Sequence, residues 1–315
     1  MIYSPIALFI YKRPEHTRRT LESLMQCPEF ADSPLYVFCD GAKKEKDQEK
    51  VMQAREVVRS LVGTKAEIIE STTNRGLANS IISGVTSLCD QYQRVIVVED
   101  DLVVAPQFLG FLNAALEQYQ HEPSVMQVSG YMFSVPEFVN RNEAVFLPFT
   151  TSWGWATWKR AWDYFDAESS GWEVLQTDKQ MQNSFNVDGC FDFFKMLKQQ
   201  MSGEIDSWAI RWYWSVFKNN GCVVYPPGSY VNNIGFDGSG THSKFGKLYV
   251  IKIFRKVNPS NLLRIVELPK EIQIIEEDLN KVKKVLLRLS NSWMSRLKNG
   301  LKFLLAQKRK TELFR

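Results

Sequence analysis

An acidic triplet, Glu99-Asp100-Asp101, stands directly after the apolar run Arg94-Val-Ile-Val-Val98 and carries the sharpest chemical signal in the chain. Three carboxylates at the rim of a low-dielectric core repel one another and lose hydration, so such a group persists where a cation or several donors compensate it. Hard divalent ions such as Mg2+ and Mn2+ take oxygen ligands of this kind and keep positions open for the oxygens of a phosphorylated substrate. An ordinary acidic turn at a strand end is the competing interpretation of the same residues.

Other apolar runs close on polar residues too. Ile6–Tyr11 is followed by Lys12-Arg13-Pro14, Leu35–Cys39 by Asp40-Gly41, and Ala66–Glu70 by Asn74-Arg75-Gly76 a few residues on. Between them lie amphipathic stretches at Thr17–Met25, Lys46–Val62 and Asn74–Leu88, so the first hundred residues alternate strand and helix and predict βαβ units with a mostly parallel sheet. In open α/β sheets ligands collect outside the carboxyl ends of the strands, where Asp40, Asn74 and the triplet all fall.

Gln107–Tyr119 predicts a further helix and Val125–Ser129 a strand, after which the alternation fades. Eight of the nine tryptophans lie between residues 150 and 214, which marks that stretch as a different kind of surface. Residues 226–247, rich in Pro, Gly, Asn and Ser, predict a long functional loop. Apolar residues at 275, 279, 282, 286 and 289 follow an a/d spacing, which suits packing on the body, pairing with a second copy, or continuation into Trp293–Leu305.

The chain has 315 residues, 44% hydrophobic and 23% charged, which excludes a disordered, collagen-like or disulfide-stapled protein. Five cysteines at 27, 39, 89, 190 and 222 form no CxxC pair and indicate a reducing compartment without structural zinc. The net charge of +4 is unevenly spread: residues 281–315 hold 11 Lys/Arg against one acid, and residues 1–280 hold 28 against 34. A negative body argues against nucleic acid, and a basic tail rich in Leu, Trp and Phe points to an anionic membrane surface. No apolar run approaches the ~20 residues of a membrane span, and Ile2–Tyr11 lacks the basic region and cleavage site of a signal peptide.

Arg94-Val-Ile-Val-Val-Glu-Asp-Asp-Leu-Val-Val-Ala-Pro-Gln-Phe108 resembles the DXD-type metal and nucleotide-sugar segment of GT-A glycosyltransferases and is most similar to the N-acetylglucosaminyltransferase I family. Ala7-Leu-Phe-Ile-Tyr-Lys-Arg-Pro14 with Arg18-Arg19 resembles that family's first strand and nucleotide-binding turn. Thr151-Ser-Trp-Gly-Trp155 with Trp162 resembles its Gly-Trp acceptor-side segment, Asp206-Ser207-Trp208 its Asp-Asp-Trp segment, and Gly238-Ser-Gly-Thr-His242 its Gly-x-Ser-His loop. Asn74-Arg-Gly-Leu-Ala-Asn79 is closer to family 2 glycosyltransferases, and Ser207 replaces the second aspartate of the Asp-Asp-Trp segment.

The resemblance, which spans roughly residues 5–247, implies an α/β GT-A fold and an inverting, metal-dependent transfer from a nucleoside-diphosphate sugar. It implies Asp101 as ligand of Mn2+ or Mg2+ and Asp206 as general base. It also implies donor binding by Arg13, Asp40, Asn74, Arg75, Glu99, Asp100, Thr241 and His242, with Asp40 at the base. Trp153, Trp155 and Trp208 are expected on the acceptor side, since flat apolar rings suit the C–H faces of sugars. The expected organisation is a catalytic domain over 1–250 (donor half 1–130, acceptor half and lid 131–250), a connector over 251–280 and a basic amphipathic tail over 281–315. The expected partners are a UDP-sugar, a glycan or lipid-linked acceptor, the inner face of the cell membrane and a second copy through 271–289. A nucleotidyltransferase and a non-catalytic carbohydrate-binding scaffold are the alternatives, and a nucleotidyltransferase should carry a Gly-rich phosphate loop where Lys12-Arg13-Pro14 stands.

Overall fold

The computed structural model describes residues 3–237 and 266–290. Thr241 and His242, the loop they belong to, and the tail beyond residue 290 lie outside the described residues. Strands β1 (Ile6–Ile10), β2 (Leu35–Cys39), β3 (Ala66–Glu70) and β4 (Arg94–Glu99) alternate with helices α1 (Pro14–Leu24), α2 (Gln48–Val62) and α3 (Leu77–Tyr92). There follow β5 (Leu102–Val104), α4 (Phe108–Gln118), β6 (Val125–Ser129), β7 (Val145–Leu147) and β8 (Trp155–Trp158). The short helices α5 (Lys159–Trp162), α6 (Val174–Thr177) and α7 (Lys179–Phe185) lead to α8 (Phe193–Met201), α9 (Trp208–Lys218), β9 (Cys222–Tyr225) and β10 (Val231–Asn233). Residues 276–290 form the last helix among the described residues.

Eight strands make one sheet in the order β3-β2-β1-β4-β8-β6-β9-β7, with four parallel and three antiparallel pairings. The sheet is therefore mixed and predominantly parallel, as the alternation in the sequence predicts. β1 is apolar at every position because both its faces are covered. Ile6, Leu8 and Ile10 pack with residues of α1, α2 and α4, while Ala7 and Phe9 pack with residues of α3 and α9. The chain runs outward from β1 to β3 and returns on the other side as β4, so the strand order switches between β1 and β4.

Two expectations need correction, and a third is resolved. The stretch 226–247 is not loop throughout, because β10 pairs antiparallel with β5 just beyond the triplet. The predicted helix at Asn74 begins instead at Leu77, since Asn74, Arg75 and Gly76 are held in a turn by Asp40. Of the three uses open to the 275–289 seam, packing on the body is the one seen at its middle: Val282 and Leu286 are buried among residues of α7 to α9, with Leu279 packed beside them. The Arg141–Asp278 ion pair at 2.7 Å pins the start of that helix to the body.

Candidate active site

β1 and β4 end side by side, and the residues that follow them meet. The Tyr11 N–H donates to Asp100 Oδ2 at 3.2 Å, and the Arg13 guanidinium bonds Asp100 and lies 3.0 Å from Asp101 Oδ2. The Thr20 hydroxyl on α1 donates to the Asp100 carbonyl at 2.9 Å, which fixes the turn between β4 and β5. Asp100 is buried; Glu99 and Asp101 are partly exposed.

Asp100 and Asp101 share one guanidinium, and Glu99 adds a third carboxyl beside them. Burial, reinforced by the charges of Asp101 and Asp100, pushes the Glu99 carboxyl up to about 8. Burial also raises Asp100, against the opposing pull of Arg13. Burial by itself would make Arg13 a stronger acid, yet the Asp100 and Asp101 charges outweigh it and hold the guanidinium above its ordinary range. The cluster carries surplus negative charge.

The segment after β10 closes over this cluster. The Ile234 N–H donates to the Asp101 carbonyl at 2.8 Å, and Gly235 lies so close that a Cβ there would collide with Asp101 Oδ2. Phe236 then packs against Trp153 with ring centroids 5.6 Å apart, and His16 Nε2 of α1 reaches Asp237 Oδ2 at 3.2 Å. Trp153 thus sits beside the acidic cluster, partly exposed, with Tyr131 at its other edge. Gly235 and Phe236 escape a reading of the sequence because nothing local pairs Val231 with Val104; the Pro226-Pro227-Gly228 turn before Tyr230-Val231 is the only hint of a strand.

Asp40 is committed elsewhere. Its Oδ1 accepts from Gly41 N and Arg75 N, both at 2.8 Å, and its Oδ2 from Asn74 Nδ2 at 2.9 Å and Gly76 N at 3.0 Å. Four donors occupy the lone-pair capacity of a carboxylate, so Asp40 holds the turn that starts α3. Asn74 serves the same turn through Asp40 and the Gly41 carbonyl, and the Arg75 side chain is exposed at its edge.

Trp155 and Trp208 require correction as acceptor-binding residues: their exposures are 0% and 4%, and they stack on one another at 5.0 Å within a core cluster that includes Trp162 and Trp212. Their burial follows from α9, whose Trp208, Trp212 and Val216 face one core while Ile210, Tyr213 and Trp214 face another. Asp206 is exposed just before α9, and Arg211 Nη2 holds its Oδ1 at 3.1 Å. Ser207, not Asp206, caps the helix by accepting from Ile210 N. Trp155 pairs in register with Val97, two residues before Glu99, so the Trp208 stack brings the start of α9 to the carboxyl end of β4.

No protein-family model matches the chain, and no curated protein matches it. Solved structures show partial likeness. A mannosyltransferase, PcManGT from Pyrobaculum calidifontis in complex with GDP-Man and Mn2+, is 15% identical over 49% of this chain and 45% of its own, with a TM-score of 0.34. The galactosyltransferase LgtC in complex with donor and acceptor sugar analogs is 9% identical over 69% of this chain and 72% of its own, with a TM-score of 0.37. Mouse xyloside xylosyltransferase 1 is 12% identical over 69% and 81%, with a TM-score of 0.36. The chain spans less than half the length of the mannosyltransferase.

Proposed function

We propose that the protein is an inverting, divalent-metal-dependent glycosyltransferase of the GT-A type, using a nucleoside-diphosphate sugar. The observation that carries this is the meeting of Arg13 with Asp100 and Asp101 at the switch point between β1 and β4, where open α/β sheets bind their ligands. The donor set fits a metal. Surplus negative charge surrounds Asp101, and among the described residues nothing donates to its Oδ1. Among the described residues no three His, Cys, Asp or Glu side chains form a metal cage, but an ion bound together with a diphosphate would need only one or two protein carboxylates, here Asp101. When bound, the ion supplies charge neutralisation for the departing diphosphate. Arg13 donates to a phosphate oxygen and adds to that neutralisation. Asp206 takes the proton of the acceptor hydroxyl, whose oxygen attacks the anomeric carbon opposite the leaving group. Trp153 and Phe236 offer an aromatic face to a sugar ring.

UDP-N-acetylglucosamine is the favoured donor, from the family likeness of the strand-plus-triplet segment. A lipid-linked or glycan acceptor in bacterial surface polysaccharide synthesis, met at the cytoplasmic membrane face, is supported by the basic tail, since each Lys or Arg near an anionic leaflet contributes about 1 kcal/mol. Thermal-shift measurements with UDP-, GDP- and dTDP-sugars, with and without Mn2+, test the donor: one nucleotide sugar should stabilise the fold selectively, and more so with the ion. Asp101→Ala should abolish Mn2+-dependent release of nucleoside diphosphate. A wild-type protein that releases none from any of these donors is no glycosyltransferase of this kind.

A further inference from the structure

Asp100 and Asp101 share Arg13 but are held very differently. Asp100 is buried, accepts from the Tyr11 N–H, and has its carbonyl fixed by Thr20. Asp101 is more exposed and touches Arg13 through Oδ2 only. Lys12, the neighbouring cation, is turned away to Asp47 at 2.8 Å, so among the described residues Arg13 is the one cation paired with the triplet. A guanidinium this close to Asp101 supplies one of the positive charges that a divalent ion would bring, and it repels a second cation at the same carboxylate. Its planar fork is also the protein group best matched to phosphate oxygens.

We infer that Arg13 is a resident counterion for Asp101, one that a diphosphate draws away, so that divalent cation and diphosphate bind cooperatively, which rests on the metal-dependent transfer proposed above. Asp100 keeps hold of the guanidinium, so the movement asked of Arg13 is a pivot. By linkage, whatever factor the diphosphate adds to the affinity for the ion, the ion adds to the affinity for the diphosphate. The unliganded protein then binds the ion weakly, and the carboxylate is freed when a donor arrives.

Calorimetric titration of Mn2+ alone, and separately of inorganic pyrophosphate in chelator, into the full chain and its Arg13→Gln variant tests this, with circular dichroism as the check of folding. Arg13→Gln should bind Mn2+ at least about tenfold tighter than the wild type and pyrophosphate at least about tenfold more weakly. A purely structural lesion weakens both, so opposite signs are the diagnostic. If Arg13→Gln does not fold, Arg13→Met, which keeps the length of the side chain but neither its charge nor its fork, should move both affinities in the same directions. Mn2+ affinity that is equal or weaker in the folded variant overturns the counterion role alone. Absence of Mn2+ binding in wild type and variant alike, with pyrophosphate present as well as without it, overturns the metal-dependent transfer with it.

Discussion

Among the strand-end carboxylates, Asp40 and Asp101 have opposite fates, and hydrogen-bond capacity separates them. With four N–H donors on Asp40, an Asp40→Asn change would set an amide NH2 against donors and leave at least one of them unsatisfied. It should cost about 2–3 kcal/mol in urea unfolding, whereas Arg75→Ala, at an exposed side chain of the same turn, should stay within about 0.5 kcal/mol. Equal effects would contradict the structural role given to Asp40. The cysteines give a pH test at the same scale. Burial pushes the Cys27, Cys39, Cys89 and Cys222 thiols up to about 12 from an ordinary 9.0. Between those values the folded chain binds more protons than the unfolded one, so this contribution to stability is complete below the lower value and lost as pH rises toward the upper. At pH 8 an alkylating reagent should label none of the five buried cysteines in the native protein and all five in guanidinium, read by intact mass.

Helix α9 shows how an element can mislead. Its run Trp208-Ala-Ile-Arg-Trp-Tyr-Trp-Ser-Val-Phe217 is apolar nearly all round, the mark of a helix buried on more than one side. Trp208 is expected on the acceptor side from the sequence, yet the rings of this helix fill the space between two cores. Trp212 is 1% exposed and its Nε1 donates to Gln127 Oε1 at 2.7 Å, so Trp212→Ala should destabilise by about 3–5 kcal/mol. Trp153→Ala, at a partly exposed ring, should cost far less stability and instead raise the KM for acceptor. Unaltered acceptor kinetics in Trp153→Ala would remove it from the sugar site.

For the whole molecule the decisive contact is the last helix against the body. Val282 and Leu286 close the cluster that also holds Tyr213 and Tyr225, so residues 281–290 of the basic region belong to the packed body. A chain ending at residue 290 keeps that core, and if the proposed tail role holds it should fail to sediment with anionic vesicles. A chain ending at 275 should lose several kcal/mol by opening that core. Sedimentation that survives the first truncation would refute the membrane role of the tail.

By itself the sequence determined the alternation of β1 to β4 with α1 to α3 and the gathering of polar residues at the strand ends, because period-2 and period-3.6 patterns are local and a doubly covered strand must be apolar throughout. Ends of the first five predicted strands were legible to within a residue for the same reason. What the tertiary structure decided is which of those polar groups remain available. Asp40 is spent on a turn 34 residues away, Trp155 and Trp208 are consumed by a core, and Gly235 and Phe236 arrive at Asp101 through a pairing of β5 with β10 more than a hundred residues apart. A hydrogen bond or a ring stack has no sequence period, so such commitments appear only once distant segments are brought together.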